Sequence, residues 1–168
     1  MICKKLAYGC VLAFLSCGLS ACYSFVGTNL SPKVKSLQID AFPNNASNVN
    51  PDLSPKLTAA LRDYFQSNSA LSLKNEDGDI LIEGEITNYQ TSPAANSAGD
   101  QAVQTELSVT VKVRYFNKYD EGQNFEKSYT ESENFDRSQS LLDVEPKLLE
   151  AIDKRLAIRI FNDTLANW

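Results

Sequence analysis

The residues best placed to do covalent chemistry in this chain are Leu19-Ser20-Ala21-Cys22, and the chemistry is that of a thiol. Two small side chains directly before a cysteine, behind an apolar run, form the pattern read by a lipoprotein signal peptidase. Small residues let the scissile backbone lie flat in the protease cleft, and the cysteine sulfur accepts a diacylglyceryl group before cleavage. Upstream, Lys4 and Lys5 supply a short positive region, and Leu6 to Leu15 supply an apolar run too short for a permanent span. The spacing predicts a signal peptide over residues 1–21, with Leu19, Ser20 and Ala21 as recognition residues and Cys22 as the lipidation site, carrying palmitate-type acyl chains. The competing reading is an ordinary signal peptide, or a short anchor, with a chance cysteine.

A second group with possible chemistry is Lys112 and Arg114. They are two apart in a segment with strand alternation, so both point to one sheet face, beside Thr110 and Phe116. That makes a small anion-binding patch. The competing reading is cross-strand pairing with Glu83 or Glu85. Glu83 and Glu85 are themselves two apart on a strand and have the geometry of an acid/base pair. No partner base accompanies them, and they are expected on a solvated face.

Composition removes several function classes. The 168 residues carry 16 Lys and Arg against 21 Asp and Glu, a net charge of −5, and loss of Lys4 and Lys5 makes the remainder more acidic. Such a surface repels the phosphate backbone, so no nucleic acid is expected as a partner. There is no histidine, which removes the commonest general base and the commonest zinc ligand. Cys3, Cys10 and Cys17 lie in the leader, leaving Cys22 alone and no disulfide framework. No glycine-rich phosphate loop and no Gly-x-Ser-x-Gly elbow occurs. The expectation is a protein that is not an enzyme, with no catalytic residue, no metal and no cofactor, and with a binding or assembly role.

The elements that must position these groups follow from periodicity. Residues 22–33, with Gly27 and Pro32, read as an extended lipidated tether, and residues 34–168 as one domain. Val34 to Phe42 alternates as a strand, with Leu37, Ile39 and Ala41 on one face. Pro51 to Asn68 is a helix whose Leu53, Leu57, Ala60, Leu61, Tyr64 and Phe65 share a stripe. Leu71 to Lys74 is a short strand, followed by a turn at Asn75 to Gly78. Asp79 to Thr91 is a long strand with Ile80, Ile82, Gly84 and Ile86 inward, and with Glu83, Glu85, Thr87 and Tyr89 on the opposite face. Ser92 to Ala102 is a small-residue hairpin tip. Val103 to Tyr119 is the longest strand, with Leu107, Val109, Val111, Val113 and Tyr115 on one side, and Phe125 to Phe135 is the next. A second helix occupies Ser140 to Trp168. Asp143 is favoured as its cap, because a cap at Ser140 would place Pro146 in the interior. Short turns between strands imply an antiparallel meander with one buried face. The predicted fold class is α+β, a two-layer sandwich with two helices on a mostly antiparallel sheet of about four strands.

Taken together, several of these segments resemble the LptE family of lipopolysaccharide-assembly lipoproteins, in the form found in Bacteroidetes-type bacteria. The resemblance runs through Cys22-Tyr23-Ser24-Phe25 and Gly27, then Phe42-Pro43-Asn44, Val49-Asn50-Pro51 and Leu53-Ser54. It continues in Ala60-Leu61-Arg62-Asp63, in Gly78-Asp79, and in Glu83-Gly84-Glu85-Ile86-Thr87 with Tyr89. Thr110-Val111-Lys112-Val113, Phe135-Asp136 with Ser138 to Leu141, Ile160-Phe161-Asn162 and Asn167-Trp168 complete it. What it implies is a lipid anchor in the periplasmic side of the outer membrane and a partner in the LptD β-barrel translocon. The chain would act there as a plug and assembly factor, with lipopolysaccharide as a possible ligand. Lys112 and Arg114 are assigned to that ligand by face geometry alone. The alternative is a stand-alone periplasmic lipoprotein that holds an apolar ligand between sheet and helices.

Overall fold

The computed structural model describes residues 30–48, 50–94 and 104–166. Cys22 and the recognition residues Leu19, Ser20 and Ala21 lie outside them, as do most of the tether and of the Ser92–Ala102 tip.

The first strand, β1, covers Ser36–Ile39, and the first helix, α1, covers Leu53–Asn68. β1 is shorter than its alternation predicts. Leu37 and Ile39 are buried, but Ala41 is exposed and Phe42 is fully buried in its place. Phe42 can turn inward because Gly84 has no side chain. A Cβ there would lie 2.6 Å from the Phe42 ring and 2.3 Å from the Lys112 carbonyl oxygen. Thr58 holds this bend to α1, accepting from the Phe42 amide at 3.1 Å and donating to the Ser54 carbonyl at 2.8 Å. α1 starts where the Asn50 side chain accepts from the Asp52 amide at 2.9 Å. It buries Leu53, Leu57, Leu61 and Phe65, with Ala60 and Tyr64 at the margin. Full burial of one such side chain contributes about 1.5–3 kcal/mol.

Four more strands follow: β2 (Ser72–Lys74), β3 (Ile80–Pro93), β4 (Gln104–Asn117) and β5 (Phe125–Asp136). The sheet order is β2-β1-β3-β4-β5. β3, β4 and β5 form the expected antiparallel meander, but β1 pairs in parallel with both β2 and β3. The sheet is therefore five-stranded and mixed, not four-stranded and mostly antiparallel. The reason is the crossover. α1 returns the chain to the starting end, so β2 runs parallel to β1. The segment Asn75 to Gly78, expected as a simple turn, then crosses β1 to start β3 on its other side. The crossing is close: Asp77 takes a positive φ of 52°, and a Cβ on Gly78 would lie 2.7 Å from the Gln38 amide nitrogen. Asp79 fastens it, accepting from the Lys35 and Ser36 amides at 2.9 and 3.0 Å and from the Ser36 hydroxyl at 2.8 Å.

Tyr89 also departs from its expected face. The β3–β4 register shifts between Ile86 and Asn88, a bulge that inverts the alternation and turns Tyr89 into the core. Its hydroxyl bonds Glu145.

The second helix, α2, covers Leu141–Thr164 and begins at Ser140, not Asp143. Pro146 is therefore inside the helix. It lacks the amide that would bond the carbonyl of Leu142, a residue in the outermost turn and 80% exposed, where water can take that carbonyl. α1 and α2 lie side by side on one face of the sheet and point the same way. Asn50 bonds Glu145 at 3.0 Å near their starts, and Phe161 meets Tyr64 and Phe65 edge-on further along, with ring centroids 5.4 and 5.1 Å apart. The core fills the space between these helices and the inward residues of β1, β3, β4 and β5.

Candidate functional site

Because both helices cover one face, the opposite sheet face is open. The alternation that buries Val109, Val111 and Val113 on β4 leaves Thr110, Lys112 and Arg114 on this open side. The register aligns them in rows across three strands. Glu83, Arg114 and Glu126 form one row, Glu85, Lys112 and Ser128 the next, and Asn88, Thr110 and Thr130 the third. Arg114 Nε donates to Glu83 at 2.7 Å, and Lys112 Nζ reaches Glu126 diagonally at 2.8 Å. The hydrogen bond to Glu83, with its charge, raises the Arg114 pKa further above its usual value. Glu85 accepts from the Asn45 side chain at 2.6 Å, and the hydroxyls of Thr110 and Thr130 meet at 2.9 Å.

The structure thus brings Lys112 and Arg114 together on one face, each engaged by a carboxylate of a neighbouring strand. With Glu83, Glu85 and Glu126 among them, the patch mixes both signs with one carboxylate in excess, and it is hydrogen-bonded across its width. Such a plate suits broad contact with another polar wall. An anion would have to displace Glu83 or Glu126 to gain either cation. Beyond it, Phe116 and Tyr119 are the large side chains exposed near the β4–β5 turn.

A second feature was not read from the sequence. Arg155 and Arg159, one turn apart on α2, reach over the free edge of β5. Arg155 donates to the Ser132 carbonyl at 2.6 Å and to Glu131 at 3.0 Å, and it also bonds Glu133. Arg159 donates to the Thr130 carbonyl at 3.0 Å and to Glu131. Burial pushes the Glu131 carboxyl up, but the bonds from Arg159 and Arg155 outweigh it and hold the pKa below the usual value. An edge strand presents unpaired carbonyls to any other strand. Here two of them are taken by guanidinium groups. The signal was available in the i, i+4 arginines of the helix and the i, i+2 glutamates of the strand.

Among the described residues, no group of three or more His, Cys, Asp or Glu side chains could hold a metal ion, and no helix is long and apolar enough to cross a membrane.

A family model described as LptE, lipopolysaccharide-assembly, matches residues 34–164. The chain belongs to the LptE family. At the level of that family it is a lipopolysaccharide-assembly protein. No curated protein sequence matches it. Solved structures that resemble this LptE-family chain include a protein from Xanthomonas campestris, at 9% identity over 81% of this chain and 89% of that one, with a TM-score of 0.57. A hypothetical protein from Chlamydia trachomatis is similar at 9% identity over 80% and 99% of the two chains, with a TM-score of 0.55. PelC from Paraburkholderia phytofirmans, a dodecamer, is similar at 8% identity over 83% and 95%, with a TM-score of 0.50. At these identities the likeness speaks for the sandwich fold alone. The two helices on a five-stranded mixed sheet are the scaffold on which this LptE-family chain carries its open polar face and its closed β5 edge.

Proposed function

We propose that this chain is a non-enzymatic lipoprotein of the outer membrane, attached through Cys22 on the periplasmic side, and that it plugs and helps to assemble an LptD-type β-barrel. The observation that carries the proposal is the open face of β3, β4 and β5, where Arg114 and Lys112 are neutralised by Glu83 and Glu126 and flanked by paired threonines. Interiors of large barrels are polar and mixed in charge, and a rigid plate on which each cation is paired with a carboxylate matches such a wall. Closure of the β5 edge by Arg155 and Arg159 fits the same role, since an insert in a barrel must not add itself to the barrel's strands. Lipopolysaccharide contact, assigned to Lys112 and Arg114, belongs to the same proposal.

The test is site-specific photocrosslinking from Thr110 and Thr130 in intact envelopes, with a control position on the α1 surface at Gln66. Adducts from the sheet face on one large outer-membrane barrel support the plug. A chain that forms no barrel adduct from any of these positions, and runs alone after gentle detergent extraction, overturns it. Acyl labelling of the wild type and of Cys22→Ser separately tests the anchor.

A further inference from the structure

The outer surfaces of α1 and α2, away from the sheet, enclose a trough of about 660 Å³. Its walls are low because the residues there are small: Ala59 and Ala60 on α1, and Ala157 on α2. Pro146 and Tyr64 also line it. Asp153 faces this trough. It is only 3% exposed, and its Oδ1 has no hydrogen-bond partner among the described residues.

A buried carboxylate without a donor is costly, because it has given up water and gained nothing. Burial pushes the Asp153 carboxyl up to about 7, against an opposing pull from Lys56. The surrounding charges do not satisfy it. On α1 these are Lys56, which pairs with Asp52 at 3.2 Å, and Asp63; on α2 they are Glu150 and exposed Lys154. Three carboxylates thus face two ammonium groups, one of them already engaged, so the trough favours an incoming cation.

Shape narrows the occupant. From Pro146 to Ala157 the trough runs about 16 Å along α2 at ~1.5 Å per residue, and it is open to solvent along its length. That form takes an extended piece of polypeptide better than a small molecule that needs enclosure. The chemistry narrows it further. A guanidinium is planar, carries a fork of donors matched to a carboxylate, and is more weakly hydrated than an ammonium, so it is the cation that enters such a place at least cost.

We propose that the α1–α2 trough is a docking site for a segment of a partner polypeptide that sets one arginine against Asp153. The site lies on the face away from the open sheet and does not depend on the barrel reading. The test uses the full chain in detergent, with Nα-acetyl-arginine amide as the probe and its citrulline counterpart as the neutral control. Amide shifts are followed by NMR in the wild type, in Asp153→Asn, and in Ala60→Leu, which fills the trough and leaves the carboxyl in place. The expected result is saturable millimolar binding of the arginine probe, with shifts at Ala60, Asp153 and Ala157 and a lower Asp153 titration midpoint. Binding should weaken at least about tenfold in either variant, and the citrulline compound should not saturate. Equal response to both compounds, undiminished binding in folded Asp153→Asn, or no saturable binding overturns the proposal. So does a concentration-dependent dimer in sedimentation that Ala60→Leu abolishes, which would make the trough a contact between copies of this chain.

Discussion

The Arg155 guanidinium donates to the main-chain carbonyl of Ser132 at 2.6 Å, binding α2 to the free edge of β5. The same group engages Glu131, whose side chain is only 14% exposed. Arg155→Ala therefore removes the donor for an open strand carbonyl and half the neutralisation of a largely buried carboxylate. We expect a loss of about 1–3 kcal/mol in urea unfolding, with concentration-dependent self-association through the uncovered edge. Arg155→Lys should recover only part of it, because an ammonium cannot reach Ser132, Glu131 and Glu133 with one rigid fork. Full stability and a monomeric Arg155→Ala would show that the edge needs no cover.

Gly84 is the strand position with least freedom. Its missing Cβ leaves room for the Phe42 ring on one side and the Lys112 carbonyl on the other. The carbonyl belongs to the β3–β4 ladder and cannot yield without breaking register. Gly84→Ala should cost at least about 2 kcal/mol in chemical denaturation, well above an ordinary surface substitution. Phe42→Ala together with Gly84→Ala should not restore stability, because the closer clash is with backbone. Rescue by that pair would assign the strain to the ring instead.

Where local pattern and tertiary packing agreed, the chain was readable. The inward residues of β4 alternate without interruption, so Leu107 to Tyr115 fell on the right side, and the stripe of α1 named Leu53, Leu57, Leu61 and Phe65. Most of the departures share a cause, since they were decided by contacts distant in sequence. β2 has three residues, too few to show its direction, and its parallel pairing follows from α1 and from the crossing at Gly78. Tyr89 switched faces through a bulge that no alternation rule marks. Asp143 lost the cap to Ser140 because exposure of Leu142 makes the interior Pro146 tolerable. Lys112 and Arg114 were placed on one face by spacing, but their carboxylate partners depend on strand register. Asp153 looked like any polar helix residue until α1 covered it.

The cross-strand pairs of Lys112 and Arg114 can be separated from any role with lipopolysaccharide. The side chains of both pairs are between about one-third and one-half exposed, so Arg114→Ala and Glu83→Ala should couple only weakly in a double-mutant cycle. If lipopolysaccharide phosphates use this face, Glu83→Gln with Glu126→Gln should strengthen lipopolysaccharide cross-linking, because both cations are then released. Lys112→Ala with Arg114→Ala should weaken it severalfold. Cross-linking that ignores both double variants would move the ligand elsewhere on the domain.

Stability against pH should show two limbs with opposite sign. Asp79 is held below the usual carboxylate value chiefly by the Lys35 amide and then by the Ser36 hydroxyl. At Asp163 burial pushes upward, but Lys127 and Tyr129 bonds prevail and its pKa is also lowered. Unfolded aspartates titrate near about 3.9, so the stability these two groups confer is present above that pH and is lost as pH falls through their folded values. Asp153 behaves in reverse. Its folded pKa is raised to about 7, so the native state binds its proton more tightly than the unfolded state does. That contribution is complete below about pH 4 and is lost as pH rises from there through about 7, by up to about 4 kcal/mol for a shift of this size. Unfolding free energy should therefore peak near about pH 4, fall as pH rises from there to about 7, and level off above the Asp153 midpoint. Asp153→Asn should flatten this neutral limb and leave the acid limb unchanged, whereas Asp79→Asn should shrink the acid limb alone. A neutral limb that survives in Asp153→Asn would mean that another group carries it.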